Sequence, residues 1–134
     1  MLSDFTPSAT ISVKNLNAVR SFYEGILGFK PIGPTLRGAQ AFRAGGGTVV
    51  IYESQFAGTN QATAVTWTLG EHFDDLVKAL DAKGVPFEHY EFPGAVLEGH
   101  VHVVQEGGPS RVAWFKDPDR NLHNLNNGNP EPQA

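Results

Sequence analysis

His100 and His102 lie two residues apart in a stretch, 100–105, whose apolar alternation predicts a β-strand. Side chains at this spacing on a strand point to the same side of the sheet, so the pair could bind a metal or relay a proton. The alternative is the solvent-exposed face of an edge strand, on which the histidines alternate with Val101 and Val103. The two histidines are therefore candidates for acid–base catalysis only if their side of the sheet faces a binding site.

Glu53 is another candidate for a catalytic base, because it ends an apolar stretch, 48–53, that predicts a strand. The alternative interpretation is that Glu53 only marks a solvent-exposed strand end. His123 lies beside Asn124, and neighbouring side chains on a strand point to opposite faces. We therefore expect His123 to pack under a helix or to meet solvent on the face opposite Asn124. Trp67 falls on the apolar side of its strand and is predicted to be a core residue.

The composition excludes several classes of function. The chain has 134 residues, enough for one domain, and its formal charge of −4 disfavours nucleic-acid binding. It contains no cysteine, which excludes disulfides, thiolate nucleophiles and zinc–thiolate sites. No apolar run approaches the roughly 20 residues of a membrane span, and the N-terminal residues lack the pattern of a signal peptide. We therefore expect a cytoplasmic protein that binds neither nucleic acid nor membrane.

A pattern of secondary-structure elements that must position these residues occurs twice in the chain. Residues 8–13 alternate between polar and apolar and predict a strand. Asn15 then has the residue type of a helix N-cap, and Gly28 can end the helix that follows. Residues 64–69 and a second helix, ending at Gly84, repeat the arrangement.

Each predicted helix is followed by strand-like segments, which makes each half of the chain a βαβββ unit. The first unit takes approximately residues 6–56 and the second approximately residues 62–126, within a single domain that spans residues 1–134. The segment 127–134 is polar and rich in Asn, Gly and Pro, and it is predicted to be a disordered tail.

Motifs in both halves resemble those of a known superfamily. They are Val13-Lys14-Asn15-Leu16, Phe22-Tyr23 and Leu27-Gly28-Phe29, and later Trp114-Phe115-Lys116-Asp117-Pro118-Asp119-Arg120-Asn121. With these motifs the chain resembles the vicinal oxygen chelate superfamily, which includes glyoxalases, bleomycin-resistance proteins and extradiol dioxygenases. The residue after the second Asp is usually Gly in that superfamily and is Arg120 here. The resemblance implies an α+β fold in which two tandem βαβββ modules form a curved mixed sheet around a cup, and it implies a homodimer.

In the metal-dependent members of that superfamily, four side chains at the cup floor, typically His, Glu, His or Gln, and Glu, bind one divalent metal. Carried over to this chain, the four positions fall on Ser8, Tyr52, Ala64 (or Val65 by helix spacing) and Asn124. Glu53 is adjacent to Tyr52, but a shift of one residue points to the opposite face of the sheet. Neutral side chains do not balance a divalent cation, so we expect no metal and no cofactor.

The function that this resemblance implies is metal-independent binding of a small molecule in the cup, as in the bleomycin-resistance branch. The residues expected to contact the ligand are Ser8, Thr10, Tyr52, Trp114 and Asn124. The alternative is an enzyme of the lyase, isomerase or dioxygenase type, acting on a small carbonyl or vicinal-oxygen substrate. Its non-standard site would use Glu53, His100 or His102. A third alternative is an interaction protein whose cup is filled by its own side chains, so the sequence leaves open whether the chain is an enzyme.

Overall fold

The computed structural model describes residues 1–105 and 110–129 of the chain. These residues form two compact units, of which the first is Met1–Thr59 and the second begins at Asn60. Within the described ranges, no helix is long and apolar enough to cross a membrane.

Four strands form the sheet of the first unit. They are β1 (Ala9–Val13), β2 (Lys30–Leu36), β3 (Ala39–Ala44) and β4 (Gly47–Glu53). Their order across the sheet is β1-β4-β3-β2, with β1 parallel to β4 and the other pairs antiparallel. The predicted strands of this unit are confirmed, except that β1 begins at Ala9 and leaves Ser8 exposed before the strand.

A helical segment connects β1 to β2. Asn15 caps it as predicted, because its Oδ1 accepts a hydrogen bond from the backbone N–H of Ala18 at 3.1 Å. The segment begins as an α-helix, α1 (Leu16–Arg20), and continues as a wider π-helical turn over Ser21–Ile26. It ends at Gly28, whose φ of +79° is a conformation that favours glycine.

The helical segment packs on one face of the first sheet through a row of aromatic rings. The ring centroids of Tyr23 and Phe29 are 5.2 Å apart, and those of Phe29 and Phe42 of β3 are 6.1 Å apart. Ile11 and Val13 of β1 are buried on this side. The alternate positions of β1 therefore point to the opposite face of the sheet.

In its described part, the second unit contains a helix and six strands. They are β5 (Thr63–Thr68), α2 (Phe73–Ala82), β6 (Phe87–Glu88), β7 (Ala95–Glu98), β8 (Val101–Val104), β9 (Ser110–Lys116) and β10 (Leu122–Asn126). The sheet order is β5-β10-β9-β8-β7, and β6 also pairs with β9. The parallel pairing of β5 with β10 matches that of β1 with β4, in agreement with the predicted repeat.

The strands before β9 differ from the sequence prediction. β7 was not predicted, because its residues, Ala-Val-Leu-Glu, show no polar–apolar alternation. β8 begins at Val101, after a turn in which Gly99 has a φ of +61°. His100 therefore precedes the strand, whereas the sequence pattern placed it inside. β8 lies between β9 and β7, so it is not the edge strand that the solvent-exposed alternative required.

Asn127, the first residue of the predicted tail, is hydrogen-bonded to β9. The backbone N–H of Asn127 donates to the carbonyl of Arg111, and Asn127 Oδ1 accepts from the N–H of Arg111 at 3.0 Å. The disordered tail from residue 127 stays a prediction, and its residues 130–134 lie outside the described residues.

Candidate functional site

Thr66, Trp114 and Asn124 lie on one face of the second sheet. Asn124 of β10 is directly opposite Trp114 of β9 on one side and Thr66 of β5 on the other. The neighbouring residues Phe115 and His123 point to the reverse side of the same strands. The predicted opposition of Asn124 and His123 is therefore confirmed.

The helix α2 covers the reverse side of this sheet. Arg111, which has the same strand parity as Phe115, forms a salt bridge of 3.0 Å with Asp74 of α2. His123 is fully buried on this side, and burial lowers its pKa to about 4. Its Nδ1 accepts a hydrogen bond from the indole N–H of Trp67 at 3.0 Å. We call the opposite side, which bears Thr66, Trp114 and Asn124, the outer face.

Four rings form an aromatic cluster on the outer face: Tyr90, Phe92, His102 and Trp114. The Trp114 centroid is 5.0 Å from His102, 5.3 Å from Tyr90 and 6.2 Å from Phe92, in edge-to-face geometry each time. Tyr90 and Phe92 also stack on His102, at 6.1 Å and 5.9 Å. Tyr90 is 37 % exposed and Trp114 is half-buried, whereas His102 has no exposed surface. The cluster thus presents aromatic surface to solvent above a buried imidazole.

Both ring nitrogens of His102 are hydrogen-bonded to the backbone. The N–H of Tyr90 donates to Nε2 at 2.9 Å, and Nδ1 lies 3.2 Å from the carbonyl of Val112. A backbone N–H can only donate, so Nε2 is unprotonated and Nδ1 carries the proton that Val112 accepts. His102 therefore links the irregular segment that contains Tyr90 to the neighbouring strand β9.

Tyr90 supplies a polar group at the edge of this aromatic surface. Burial of the phenol and the nearby charge of Glu88 raise its pKa, while Lys116 acts in the opposite direction. Lys116 is also paired with Glu88 at 3.0 Å, which weakens the field of that carboxylate. At neutral pH the phenol is therefore protonated and can donate a hydrogen bond.

His100 is on the other side of the sheet from His102, contrary to the sequence prediction. Its ring stacks on Phe87 at 4.6 Å, and its Nε2 lies 3.0 Å from Asp81 Oδ1 on α2. The predicted spacing applies only within a strand, and His100 lies in the preceding turn. The two histidines do not form a joint site. His100 instead lies 2.9 Å from His89, measured between His89 Nε2 and His100 Nδ1.

Glu53 has a structural contact that its sequence position did not indicate. Its Oε2 accepts a hydrogen bond from the backbone N–H of Leu16 at 3.0 Å. Leu16 is the first residue of α1, so this N–H has no partner within the helix. Glu53 is opposite Val13 in the β1–β4 pair, on the helix side of the sheet, as its one-residue offset from Tyr52 predicts.

The first unit brings together some of the other predicted ligand contacts. Thr10 is opposite Val50 and Ser12 is opposite Tyr52 in the β1–β4 pair, so all four lie on the face away from α1. Tyr52 is 39 % exposed. Ser8, which lies before β1, is not part of this face.

The residues at the four positions that the resemblance implies do not fit a divalent metal. Ser8, Tyr52, Ala64 and Asn124 offer hydroxyl, phenol and amide groups, with neither a carboxylate nor an imidazole among them. Such neutral groups leave the ion's charge uncompensated. In the described part of the chain, no group of three or more His, Asp or Glu side chains is arranged to bind a metal.

Sequence reasoning missed Tyr90 and Phe92, which form half of the aromatic cluster. They lie in the irregular segment between β6 and β7, where no periodicity exists to assign a face. The available signal was a high density of aromatic residues, with Phe87, Tyr90 and Phe92 just before Pro93-Gly94.

The comparisons with known proteins agree with this architecture. The model of the family described as "Glyoxalase/Bleomycin resistance protein/Dioxygenase superfamily" matches residues 7–125. No curated protein matches the chain.

Several solved structures share the fold at low sequence identity. A glyoxalase/bleomycin resistance protein/dioxygenase from Alicyclobacillus acidocaldarius is similar with a TM-score of 0.69 and 20% identity, over 92% of this chain and 90% of that one. The fosfomycin resistance protein FosX from Listeria monocytogenes, in its hexagonal form, gives a TM-score of 0.67 and 20% identity, over 97% and 98%. Lactoylglutathione lyase from Agrobacterium tumefaciens gives 0.64 and 14%, over 91% and 92%.

Proposed function

Because the chain belongs to the glyoxalase/bleomycin resistance protein/dioxygenase superfamily, we propose that it binds a small organic molecule at the outer face of its second unit. Binding uses no metal at the four family positions. The observation that supports this most directly is the aromatic cluster, whose partly exposed rings adjoin the side chains of Asn124 and Thr66. Aromatic walls with a few polar groups are the usual composition of a small-molecule site.

The chemistry of the outer face defines the class of ligand. Trp114, Tyr90 and Phe92 offer ring faces and edges for a flat apolar or aromatic group. The Tyr90 phenol can donate a hydrogen bond, the Asn124 amide can donate and accept, and the Thr66 hydroxyl can do both. The ligand is therefore an aromatic or amphipathic molecule with at least one polar edge.

The first unit has a second face of proposed ligand contacts, formed by Thr10 and Tyr52. Ser8 is part of the proposal through the family resemblance alone, since it precedes β1. A homodimer and a cytoplasmic location belong to the same proposal and rest on the same resemblance.

The enzyme alternative has less support from the candidate catalytic residues. Glu53 caps the first turn of α1, and both ring nitrogens of His102 are bonded to the backbone. His100 lies on the side of α2. Glu53 and His102 thus have structural contacts that account for their positions, and His100 is on the opposite side of the sheet from the aromatic cluster, so binding without turnover is the better supported function.

The experiment is a thermal-shift screen of the full chain with aromatic and amphipathic compounds, in the presence of a chelator. A compound that binds only the native state at 100 times its Kd adds about 2.7 kcal/mol of stability, which raises Tm by roughly 5–10 °C. Trp114→Leu should abolish the shift. The matched control is Phe56→Leu, which truncates an aromatic side chain that is 66% exposed in the first unit. Hits that need added metal, or that survive Trp114→Leu, would contradict the proposal.

A further inference from the structure

His89, His100 and Asp81 form a chain of contacts on the α2 side of the second unit. His89 Nε2 is 2.9 Å from His100 Nδ1, and His100 Nε2 is 3.0 Å from Asp81 Oδ1. His89 is exposed, and 31% of the His100 side chain is accessible to solvent. The geometry points to a two-histidine binding site for a divalent transition-metal ion, with His89 and His100 as ligands and water in the remaining positions.

The protonation of His100 favours this role. The Asp81 carboxylate can only accept, so the ring proton of neutral His100 lies on Nε2 and Nδ1 presents a lone pair towards His89. A carboxylate behind a metal-binding histidine is the usual outer partner of such a ligand, because it fixes the tautomer and raises the basicity of the coordinating nitrogen. Asp81 is on α2, so the helix determines the orientation of the ring.

The His100 ring is also fixed by packing. It stacks on Phe87 of β6 with a centroid distance of 4.6 Å and an interplanar angle of 16°. Phe87 in turn packs against Phe115 of β9 at 6.2 Å. One ligand is therefore held in place by packing. His89 Nε2–H donates to His100 Nδ1 in the free protein, so metal binding requires the exposed His89 ring to carry its proton on Nδ1 instead and to turn its Nε2 lone pair towards the ion.

The chemistry of the two ligands indicates which ions bind. Imidazole nitrogens suit Cu²⁺, Ni²⁺ and Zn²⁺, and the affinity of such a site for first-row divalent ions is highest for Cu²⁺. We therefore expect Cu²⁺ to bind more tightly than Ni²⁺ or Zn²⁺.

Within the second unit, the site is separate from Asn124, one of the four positions that the family resemblance implies. It lies on the α2 side of the sheet, whereas Asn124 and the aromatic cluster lie on the outer face. It is therefore independent of the proposed ligand binding, and either proposal can fail alone.

The test is isothermal titration of CuCl₂, NiCl₂ and ZnCl₂ into the untagged full chain after treatment with a chelator. We expect one equivalent of Cu²⁺ per chain, bound more tightly than Ni²⁺ or Zn²⁺. His89→Gln and His100→Gln should each weaken binding at least tenfold, and Asp81→Asn should weaken it about 10-fold to 100-fold while leaving both ligands in place. The matched control His72→Gln, which changes an exposed histidine at the start of α2, should leave the affinity unchanged.

A second readout separates coordination from loss of structure. The Cu²⁺ electron paramagnetic resonance spectrum should indicate two nitrogen ligands in the unchanged protein and one in His89→Gln. His89 is exposed, so this variant is expected to retain the native circular dichroism spectrum. Absence of binding at millimolar Cu²⁺ and Ni²⁺, or equal affinity in the unchanged protein and His89→Gln, would overturn the proposal.

Discussion

The indole N–H of Trp67 donates a hydrogen bond of 3.0 Å to Nδ1 of His123, and the two ring planes are only 9° apart. These residues belong to β5 and β10, the first and last strands of the second unit. His123 also stacks on Phe115 at 4.6 Å. A polar contact between two rings thus lies on the α2 side of the sheet, and it requires that Nδ1 of His123 carry no proton.

The stability of the native state is predicted to fall as the pH is lowered, because of His123. Burial lowers the pKa of the ring from 6.5 to about 4. Between these values the unfolded chain binds a proton that the native state does not, so stability rises with pH across this window and is lost as pH falls through it. The contribution is about 3 kcal/mol, present in full above pH 6.5. Urea unfolding between pH 7 and pH 4 should detect it.

The control for this prediction is His123→Gln, which removes the titrating ring. Its free energy of unfolding should depend less steeply on pH between 6.5 and 4 than that of the unchanged protein. His72→Gln, which changes an exposed histidine, should keep the original slope. Equal slopes for His123→Gln and the unchanged protein would refute the assignment of this pH dependence to His123.

Glu53 and Gly38 are predicted to be energetically coupled. A Cβ on Gly38 would lie 2.7 Å from Glu53 Oε1, and Gly38 has a φ of +72°. Gly38→Ala should therefore destabilise through both a collision and backbone strain, by about 1–3 kcal/mol. In a Glu53→Ala background the collision is absent and only the strain remains. Urea unfolding of the unchanged protein, the two single variants and the double variant should give a smaller cost for Gly38→Ala in the Glu53→Ala background.

Glu53→Ala by itself should cost about 0.5–2 kcal/mol, since it leaves the N–H of Leu16 without its cap. Glu53→Gln retains an oxygen acceptor and should cost less. Strictly additive effects of Gly38→Ala and Glu53→Ala would argue against direct contact of the carboxylate with the loop at Gly38.

Arg120 is predicted to be a site where glycine stabilises the protein. Its φ is +71°, and its backbone N–H donates to the carbonyl of Asp117 in the turn before β10. A left-handed conformation costs a side-chain-bearing residue about 1–2 kcal/mol, and the added freedom of glycine in the unfolded chain offsets part of the gain. Arg120→Gly should raise the free energy of unfolding by up to about 1 kcal/mol.

Arg120→Ala is the matched comparison, because it removes the guanidinium but keeps the Cβ. Chemical unfolding should rank Arg120→Gly above Arg120→Ala in stability. The opposite ranking would mean that the turn around Asp117 does not impose the left-handed conformation in solution.

The two histidines on either side of Val101 are predicted to have opposite tautomers. The contacts of His102 place its proton on Nδ1, and those of His100 place it on Nε2. Long-range ¹H–¹⁵N correlation spectra at pH 7.5 distinguish the two forms by their nitrogen shifts. The same tautomer in both rings would contradict the hydrogen-bond assignment and, with it, the orientation of one ring.

The features that the sequence predicted correctly depend on the local periodicity of strands and on residues that mark helix ends. The alternation in β10 separated Asn124 from His123 correctly, and Asn15 and Gly28 marked the ends of the first helical segment. These signals are short-range, because a strand period or a cap is completed within a few residues.

The features that were missed depend on the path of irregular segments. His100 seemed to share a face with His102, but the strand begins one residue later, after the turn at Gly99. Tyr90 and Phe92 reach the outer face from a segment without periodicity. The role of Glu53 depends on the end of β4 lying beside the start of α1, a long-range contact that no local pattern encodes.

The position of β10 in its sheet constrains the order of events during synthesis. β10 is the last strand of the second unit, yet it lies between β5 and β9 in the sheet, and it is the partner of β5 among the described residues. β5 emerges from the ribosome long before that partner, so its edge stays open until residues 122–126 have been translated. A chain that stops before Leu122 would therefore expose two unpaired edges, on β5 and on β9, and truncated products should be prone to aggregation and degradation.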